Sequence, residues 1–240
     1  GIAALILAFI LLTNSFKTSQ MISKFKKCNV IVAGKKGNGK DLLFQYVIRK
    51  RKNEKYYSNI SYGYKYNAVK VKDMNLGDNT YQNFITDKIN KTPHKFIEKA
   101  DFYISDGGIY LPSYMDSSLY KYFPSLPIFY ALSRHTYNSN VHINAQNFNR
   151  VWKALREQAD YYVLCRKTIK LPFILITLVT CYDKLDSANR ELRPLKAKIN
   201  NKYSKAEADK YKAENGDIMN CFIISFKKRI KYDTRAFEPL

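Results

Sequence analysis

The chain is poor in cysteine, in acidic residues and in long apolar runs. Its four cysteines, Cys28, Cys165, Cys181 and Cys221, are scattered and form no C-x-x-C pair. This spacing argues against a zinc site and a disulfide framework, and it is typical of a protein in a reducing, cytoplasmic setting. The 240 residues contain no internal repeat and no low-complexity tract. One domain with appendages is therefore the expected organisation.

Acidic residues are scarce beside the basic ones. The sequence has 20 Asp and Glu against 41 Lys and Arg, which gives a formal net charge of +21 at pH 7. A charge of this size favours nucleic acid or an anionic lipid surface as a partner. A solvated basic surface, or a genome rich in lysine codons, is the alternative explanation.

The opening apolar run, Ile2 to Leu12, is eleven residues long, whereas a membrane-spanning helix needs about twenty. We interpret residues 1–16 as the truncated end of a transmembrane anchor and residues 17–27 as a basic linker. By the positive-inside rule, the lysines between residues 17 and 27 place the rest of the chain on the cytoplasmic side of the membrane. A secretory signal and a buried core helix are the alternatives, although no small-x-small cleavage site follows the run. The lysines that follow closely are Lys17, Lys24, Lys26 and Lys27.

A second apolar run, Cys28 to Ala33, leads into a segment with the spacing G-x-x-x-x-G-K. Glycine reaches backbone angles that other residues avoid, so successive N–H groups can turn toward phosphate oxygens. A lysine would then reach the β and γ phosphates, and the N-terminus of the following helix adds partial positive charge. The pattern predicts an ATP-binding loop; a glycine-rich turn without a ligand is the alternative. The loop comprises Gly34, Lys35, Lys36, Gly37, Asn38, Gly39, Lys40 and Asp41.

Asp41 occupies the position where this pattern normally ends in Ser or Thr, whose hydroxyl binds Mg²⁺. A carboxylate can also bind Mg²⁺, so Asp41 is predicted to be a metal ligand. The same carboxylate places a negative charge near the phosphates. The efficiency of hydrolysis therefore stays open.

Two further strand ends carry candidate site residues. The apolar segment Ala100 to Ser105 ends at Asp106, which is predicted to bind Mg²⁺ beside the loop, and Gly107 stands where many ATPases have the acid that activates water. Gln146 follows the strand Val141 to Ala145 and is predicted to orient the attacking water or contact the γ-phosphate. A turn aspartate and a turn amide are the structural alternatives.

An arginine from a neighbouring subunit is predicted to stabilise the transition state. We assign this role to Arg156, with Arg134 and Arg150 as the other candidates. Each is also consistent with an ordinary surface or salt-bridge arginine.

Strand-like and helix-like segments alternate along residues 28–240. This alternation predicts an α/β fold of the P-loop NTPase type, with a mainly parallel sheet sandwiched by helices and a ligand at the carboxyl ends of the strands. Asn147 to Gln158 is predicted to be an amphipathic helix, and Leu171 to Thr180 a strand. The charged segment Lys184 to Tyr211 is predicted to form exposed helices or a mobile arm.

The order of these motifs resembles the zonular occludens toxin-like (Zot) domain of filamentous phage assembly and export proteins, which belong to the additional-strand P-loop ATPases. The resemblance rests on the glycine loop, Asp106, the pair Arg134-His135, Gln146 and Arg156. It implies a homo-oligomeric, Mg²⁺-dependent ATPase at the cytoplasmic membrane of the host cell, with phage single-stranded DNA or coat proteins as partners. Asp41, Gly107 and an anchor that precedes the domain depart from the family pattern.

Two other functions remain open. One is a basic adaptor that binds DNA or capsid protein, with nucleotide binding but little hydrolysis. The other is a DNA-packaging or conjugation ATPase, which shares the chemistry and differs in cargo.

Overall fold

The computed structural model describes residues 1–51, 54–58, 68–70, 100–105, 130, 133–134, 138–195 and 204–230. The helices are α1 (Ile2–Lys27), α2 (Lys40–Lys50), α3 (Lys153–Arg156), α4 (Leu185–Asn189) and α5 (Lys205–Asn215), with 3-10 turns at Phe148–Arg150 and Lys227–Arg229. The strands are β1 (Val30–Ala33), β2 (Lys55–Ser58), β3 (Ala68–Lys70), β4 (Ala100–Ile104), β5 (Val141–Ala145), β6 (Tyr161–Lys170), β7 (Ile174–Tyr182) and β8 (Ile218–Phe226).

These strands form one sheet in the order β3-β2-β4-β5-β1-β6-β7-β8. All pairings from β3 to β6 are parallel, whereas β7 and β8 are antiparallel at one edge. The prediction of a mainly parallel sheet is therefore confirmed. Strand β5 lies between β1 and β4, so that the carboxyl ends of these three strands meet at one edge of the sheet.

The sheet is covered on both faces. Strand β1 is a continuous apolar run and all four of its residues are buried, as expected for a strand between two helical layers. On one face, α1 and α2 supply Met21, Phe25, Leu43 and Val47 to the core. On the other face, the segment after β5 and helix α4 supply Phe148, Val151, Leu155 and Ala188.

Helix α1 corrects the expected division into an anchor and a linker. Residues 17–27, predicted as a basic linker, are the C-terminal part of one continuous helix of 26 residues. Thr18, Met21 and Phe25 recur on one face of this helix and are buried. Their spacing is that of an apolar helical stripe, and packing of that stripe against α2 and the sheet stabilises the helix in spite of its lysines.

The N-terminal part of α1 is exposed rather than packed against the core. Among the large apolar side chains that remain exposed are Leu5, Phe9 and Leu12. Asn14 ties the helix to the sheet, because it donates to the carbonyl of Phe222 at 2.8 Å and accepts from its N–H at 2.8 Å. Asn14 thus satisfies backbone groups on the outer side of β8 and covers that edge.

Two other expected elements differ from those observed, and a third agrees. The helix predicted for Asn147 to Gln158 is a 3-10 turn followed by the short helix α3. The second strand after it begins at Ile174 rather than Leu171. Within Lys184 to Tyr211, the described residues form α4 and most of α5, which confirms that this region contains helices.

Candidate nucleotide-binding site

The glycine loop connects β1 to α2 at the carboxyl edge of the sheet. Its central turn is closed by a hydrogen bond from the N–H of Asn38 to the carbonyl of Lys35, 3.1 Å long. Gly37 and Gly39 have φ angles of 82° and 85°, which lie in the left-handed region that favours glycine. Lys35 and Lys36 are exposed. The loop therefore has the backbone shape and the charge that the sequence predicted.

A β-hairpin supports the loop from one side. Strand β6 pairs with β1 up to Leu164 and then continues past the loop to Lys170, where it pairs with β7. A Cβ atom on Gly39 would lie 2.5 Å from Oγ1 of Thr168 and 2.6 Å from Oγ1 of Thr177. Only glycine fits at this point, because the hairpin packs directly against the loop backbone.

The side chain of Asn38 fastens the loop to this hairpin. Its Nδ2 donates to the carbonyls of Cys165 and Arg166, at 3.1 Å and 2.7 Å. The pairing of β6 with β7 shifts register between Cys165 and Lys167, and a bulge of this kind leaves carbonyl groups outside the ladder. Asn38 therefore has a positioning role that the loop pattern alone does not specify.

Lys40 lies under the loop at the first residue of α2. The residue is only 7% exposed, and its Nζ donates to the carbonyl of Gly34 at 3.0 Å. This contact folds the ammonium group back over the loop, beside the backbone N–H groups of the turn. A buried ammonium group held in this position provides the positive charge that a phosphate chain requires.

Asp41 points toward the neighbouring strand ends. Its Oδ1 accepts a hydrogen bond from Oγ of Ser105 at 2.7 Å and another from Nδ2 of Asn144 at 2.8 Å. Ser105 directly follows β4, and Asn144 is the fourth residue of β5. The carboxylate of Asp41, in the first turn of α2, is thereby hydrogen-bonded to the ends of β4 and β5, the two strands that were predicted to complete the site.

Ser105 and Asn144 were not identified from the sequence. The sequence does contain a signal for Asn144, because a polar residue interrupts the apolar end of β5; the structure shows that its side chain is fully buried. Ser105 is marked only by its place before Asp106. The contact between Ser105 and Asp41 joins residues 64 positions apart, and a local pattern contains no information about such a pair.

Gln146 lies at the predicted place beside the loop. Its carbonyl accepts a hydrogen bond from the N–H of Gly34 at 3.3 Å, and its side chain is exposed. Asp106, Gly107 and His135 lie outside the described residues. The assignment of Asp106 to Mg²⁺ and of Gln146 to water therefore stays a prediction.

The three candidate arginines lie in different surroundings. Arg156 is half-buried and donates to Oδ1 of Asn149 at 2.9 Å and to the carbonyl of Phe148 at 3.3 Å, in the segment that follows Gln146. Arg150 is exposed in the same segment. Arg134 instead pairs with Asp160 at 3.9 Å, next to the amino end of β1. Arg134 is thus remote from the loop of its own subunit.

Cys165 is the cysteine nearest to the loop. Burial raises the pKa of Cys165 to about 12, since an ionised thiolate would lose its hydration there. The thiol therefore stays protonated at neutral pH and acts as a packing group rather than a nucleophile. All four cysteines are free in the structure.

The donor atoms near the loop suit a hard cation. Asp41 and Ser105 offer oxygen atoms, which Mg²⁺ prefers, whereas Asn144 turns its Nδ2 toward both of them. Within the described part of the chain, no group of three or more His, Cys, Asp or Glu side chains forms a candidate metal cluster. A cation here would consequently depend on one described carboxylate together with neutral oxygens and a phosphate chain.

A buried parallel strand, a loop with left-handed glycines and a lysine that opens the next helix occur here in the arrangement of the P-loop NTPase fold. The fold class predicted from the sequence is therefore confirmed. No family model and no curated protein matches the chain.

Similarity is found among solved structures. The genome packaging NTPase B204 of Sulfolobus turreted icosahedral virus 2, in complex with AMP, is 15% identical over 68% of this chain and 95% of that one, with a TM-score of 0.43. The N-terminal domain of zonular occludens toxin from Neisseria meningitidis is 11% identical over 84% of this chain and 95% of that one, with a TM-score of 0.47.

A third similar structure is the cytoplasmic domain of the type VII secretion ATPase EccC from Thermomonospora curvata. It is 10% identical over 58% of this chain and 20% of that one, with a TM-score of 0.38. At these identities the likeness concerns the fold.

Proposed function

We propose that this protein is a P-loop ATPase, anchored by α1 in the cytoplasmic membrane of a host cell, that uses ATP hydrolysis to drive filamentous phage assembly or export of single-stranded DNA. The observation that supports ATP binding most directly is the buried Lys40 under a loop with two left-handed glycines. The cargo rests on the sequence resemblance and on the net charge of +21.

The side chains of the loop would share the work of binding the triphosphate. Lys40 exchanges its contact with the Gly34 carbonyl for phosphate oxygens, and the loop N–H groups bind the same chain of phosphates. Asp41, together with Asp106 from its place in the sequence, supplies carboxylate oxygens for Mg²⁺. When bound, Mg²⁺ would neutralise charge on the β and γ phosphates.

Gln146 and Arg156 would complete the reaction site. The exposed amide of Gln146 orients the attacking water, since its backbone is bonded to the first residue of the loop. Arg156, or Arg150 from the same segment, is presented to the site of an adjacent subunit in a homo-oligomer. Gln146 and Arg156 both lie in the segment that follows β5. Movement of this segment would therefore couple the position of the attacking water to the contact between subunits.

Helix α1 supports the membrane assignment. Its apolar window has a mean hydropathy of 1.6, and only 6% of it is buried. A buried core helix would hide those side chains, so the exposure of Leu5, Phe9 and Leu12 favours contact with lipid over packing in the core. Lys17, the first lysine after the apolar part of α1, would contact anionic headgroups on the cytoplasmic side, whereas Lys24 and Lys26 pair with Asp183 and Glu54 of the protein itself.

The test is ATPase activity of the purified oligomer in detergent or lipid, with Lys40→Ala as the variant. We expect turnover to fall at least about 100-fold, because the charge-assisted contact with the phosphates is lost. Lys153→Ala is the matched control, since its side chain is exposed on α3 and its charge change is the same.

Turnover that is equal in the wild type and in Lys40→Ala would contradict the ATPase. Nucleotide binding that depends on Lys40 without turnover would instead support the adaptor, an alternative favoured by the carboxylate of Asp41 at the hydroxyl position. Membrane placement has a separate readout: the protein should float with liposomes, and removal of residues 1–13 should abolish flotation.

A further inference from the structure

The contact between Asp41 and Ser105 has an unusual distribution of chemical groups. In P-loop NTPases the hydroxyl that binds Mg²⁺ comes from the residue after the loop lysine, and the carboxylate comes from a neighbouring strand end. Here the residue after Lys40 carries the carboxylate, and the residue at the end of β4 carries the hydroxyl.

The two groups are in direct contact. Oγ of Ser105 donates to Oδ1 of Asp41 over 2.7 Å, so the same pair of groups is present with its members on opposite elements. We propose that Asp41 and Ser105 form an exchanged magnesium pair, in which α2 supplies the carboxylate and β4 the hydroxyl for Mg²⁺ bound to a nucleoside triphosphate. This inference rests on the proposed function for its ligand, and it assigns Ser105 and Asn144 to the site.

Asn144 holds the pair in place. Its side chain is fully buried, and Nδ2 donates to Oδ1 of Asp41 at 2.8 Å and to Oγ of Ser105 at 3.4 Å. The amide of Asn144 fixes one carboxylate oxygen of Asp41 by a hydrogen bond from β5. Groups that do not bind the metal themselves orient the ligands of other metal sites in the same way. Asn144 is therefore a positioning residue whose effect passes through Asp41.

The exchange explains why the loop can have a carboxylate at Asp41 where the usual pattern has a hydroxyl. The pair contains one carboxylate and one hydroxyl in either arrangement, so the charge available to the cation is unchanged by the exchange. Asp41→Ser alone would restore the usual loop pattern but would leave two hydroxyls and no carboxylate in the pair. The usual loop residue should therefore impair this protein unless the strand is changed as well.

The experiment measures the affinity of a fluorescent, non-hydrolysable ATP analogue in Mg²⁺ and in EDTA, with Mn²⁺ electron paramagnetic resonance as a direct readout of the cation. In the wild type we expect Mg²⁺ to tighten binding. In Asp41→Ser this enhancement should fall at least about 10-fold, the lower end of the loss seen when groups around a metal are removed. The double variant Asp41→Ser/Ser105→Asp should return to within about 3-fold of the wild type.

Two further variants keep the test decisive if the double variant folds poorly. Asp41→Asn preserves the shape of the side chain and should lose the Mg²⁺ enhancement with little change in melting temperature. Asn144→Leu should weaken the enhancement less than Asp41→Asn does. Affinity in EDTA should depend on Lys40 in every variant, which separates failure of this inference from failure of nucleotide binding itself.

Several outcomes would overturn the exchanged pair. One is a folded Asp41→Asn protein with the full Mg²⁺ enhancement and an unchanged Mn²⁺ signal. Another is a folded double variant no better than Asp41→Ser. A third is loss of the Mg²⁺ enhancement in Asp106→Asn but not in Asp41→Asn, which would assign Mg²⁺ binding to Asp106 instead of Asp41. Absence of any Lys40-dependent binding in the wild type would remove the proposed function and this inference together.

Discussion

The two ends of strands β4 and β5 carry polar clusters on the same face of the sheet, and the clusters differ in what they bind. At the amino end, Asp101 and His142 lie beside Arg51. At the carboxyl end, Ser105 and Asn144 lie beside Asp41. Side chains alternate along a strand, so residues two or four apart share a face, and the ring of Tyr103 separates the clusters.

The amino-end cluster connects elements of the fold. Arg51 forms ion pairs with Asp101 and Glu54, and it donates to the carbonyl of Phe25 and to the hydroxyl of Tyr103, both at 3.1 Å. Its partners therefore come from α1, from β4 and from the residue that precedes β2. Polar groups that mostly bind backbone and oppositely charged side chains in this way stabilise a structure rather than present atoms to a ligand.

The carboxyl-end cluster has the opposite character. Asp41 binds two side chains from adjacent strands and lies next to Lys40 at the edge of an open loop, where a ligand can reach it. The comparison indicates that changes at the amino end should affect unfolding, whereas changes at the carboxyl end should affect binding.

The largest expected effect on stability is at Arg51. Arg51→Met should lower the free energy of unfolding by about 3–5 kcal/mol, because Asp101 would be left as an uncompensated buried charge. Arg49→Met is the control: Arg49 lies in the last turn of α2, two residues before Arg51, and its guanidinium lies over the ring of Tyr46, so the change should cost no more than about 1 kcal/mol. Urea unfolding measures both, and a loss below about 1 kcal/mol at Arg51 would contradict the structural role of this cluster.

A smaller effect on stability, combined with a loss of binding, is expected at Gly39. Gly39→Ala should cost about 2–4 kcal/mol, because the left-handed backbone and the contact with Thr168 and Thr177 both oppose a side chain. Gly37→Ala is the matched control: its φ is nearly the same, but no atom of the residues that the structure describes lies within 4 Å of the added Cβ, so only about 1–2 kcal/mol is expected.

Thermal unfolding and nucleotide affinity check the Gly39 prediction together. If both variants lose stability and affinity equally, the close approach of the hairpin has no effect on the loop. A selective loss of affinity in Gly39→Ala would show that the hairpin holds the loop in its binding conformation.

Local sequence patterns were sufficient for the elements around the loop. Strand β5 was predicted with its observed bounds, and β1 with two extra residues, because continuous apolar runs between turn residues specify buried strands. The glycine loop could also be predicted from the local sequence, since its glycines are required by backbone angles within the loop itself.

The parts that sequence patterns missed depend on contacts between distant residues. Lysines in residues 17–27 suggested a linker, although Met21 and Phe25 are buried against elements encoded later in the chain. The extension of β6 past the loop depends on its pairing with β7, and a bulge at Arg166 cannot be recognised before that pairing is known. Ser105 gains its role only from Asp41, which comes from another element.

The smallest expected effect is a pH dependence that belongs to the amino-end cluster alone. His142 is fully buried between the rings of Phe25 and Tyr103, with centroids 4.9 Å and 4.7 Å away, and Asp101 and Arg51 are the charged groups nearest to it. Burial lowers the pKa of His142 below its usual value, in spite of the opposing effect of Asp101.

The unfolded chain therefore binds a proton at His142 that the folded protein does not, in the interval from about pH 6.5 down to the lower folded-state pKa. Stability should fall as the pH falls through that interval, by at most about 1.4 kcal/mol per pH unit for this one group. Urea unfolding between about pH 5 and pH 8 measures the slope. His142→Leu should flatten it, whereas Asn144→Leu, on the same strand and face at the carboxyl end, should keep it because an amide does not titrate. An unchanged slope in His142→Leu would assign the acid sensitivity to other groups and remove this difference between the two ends of the sheet.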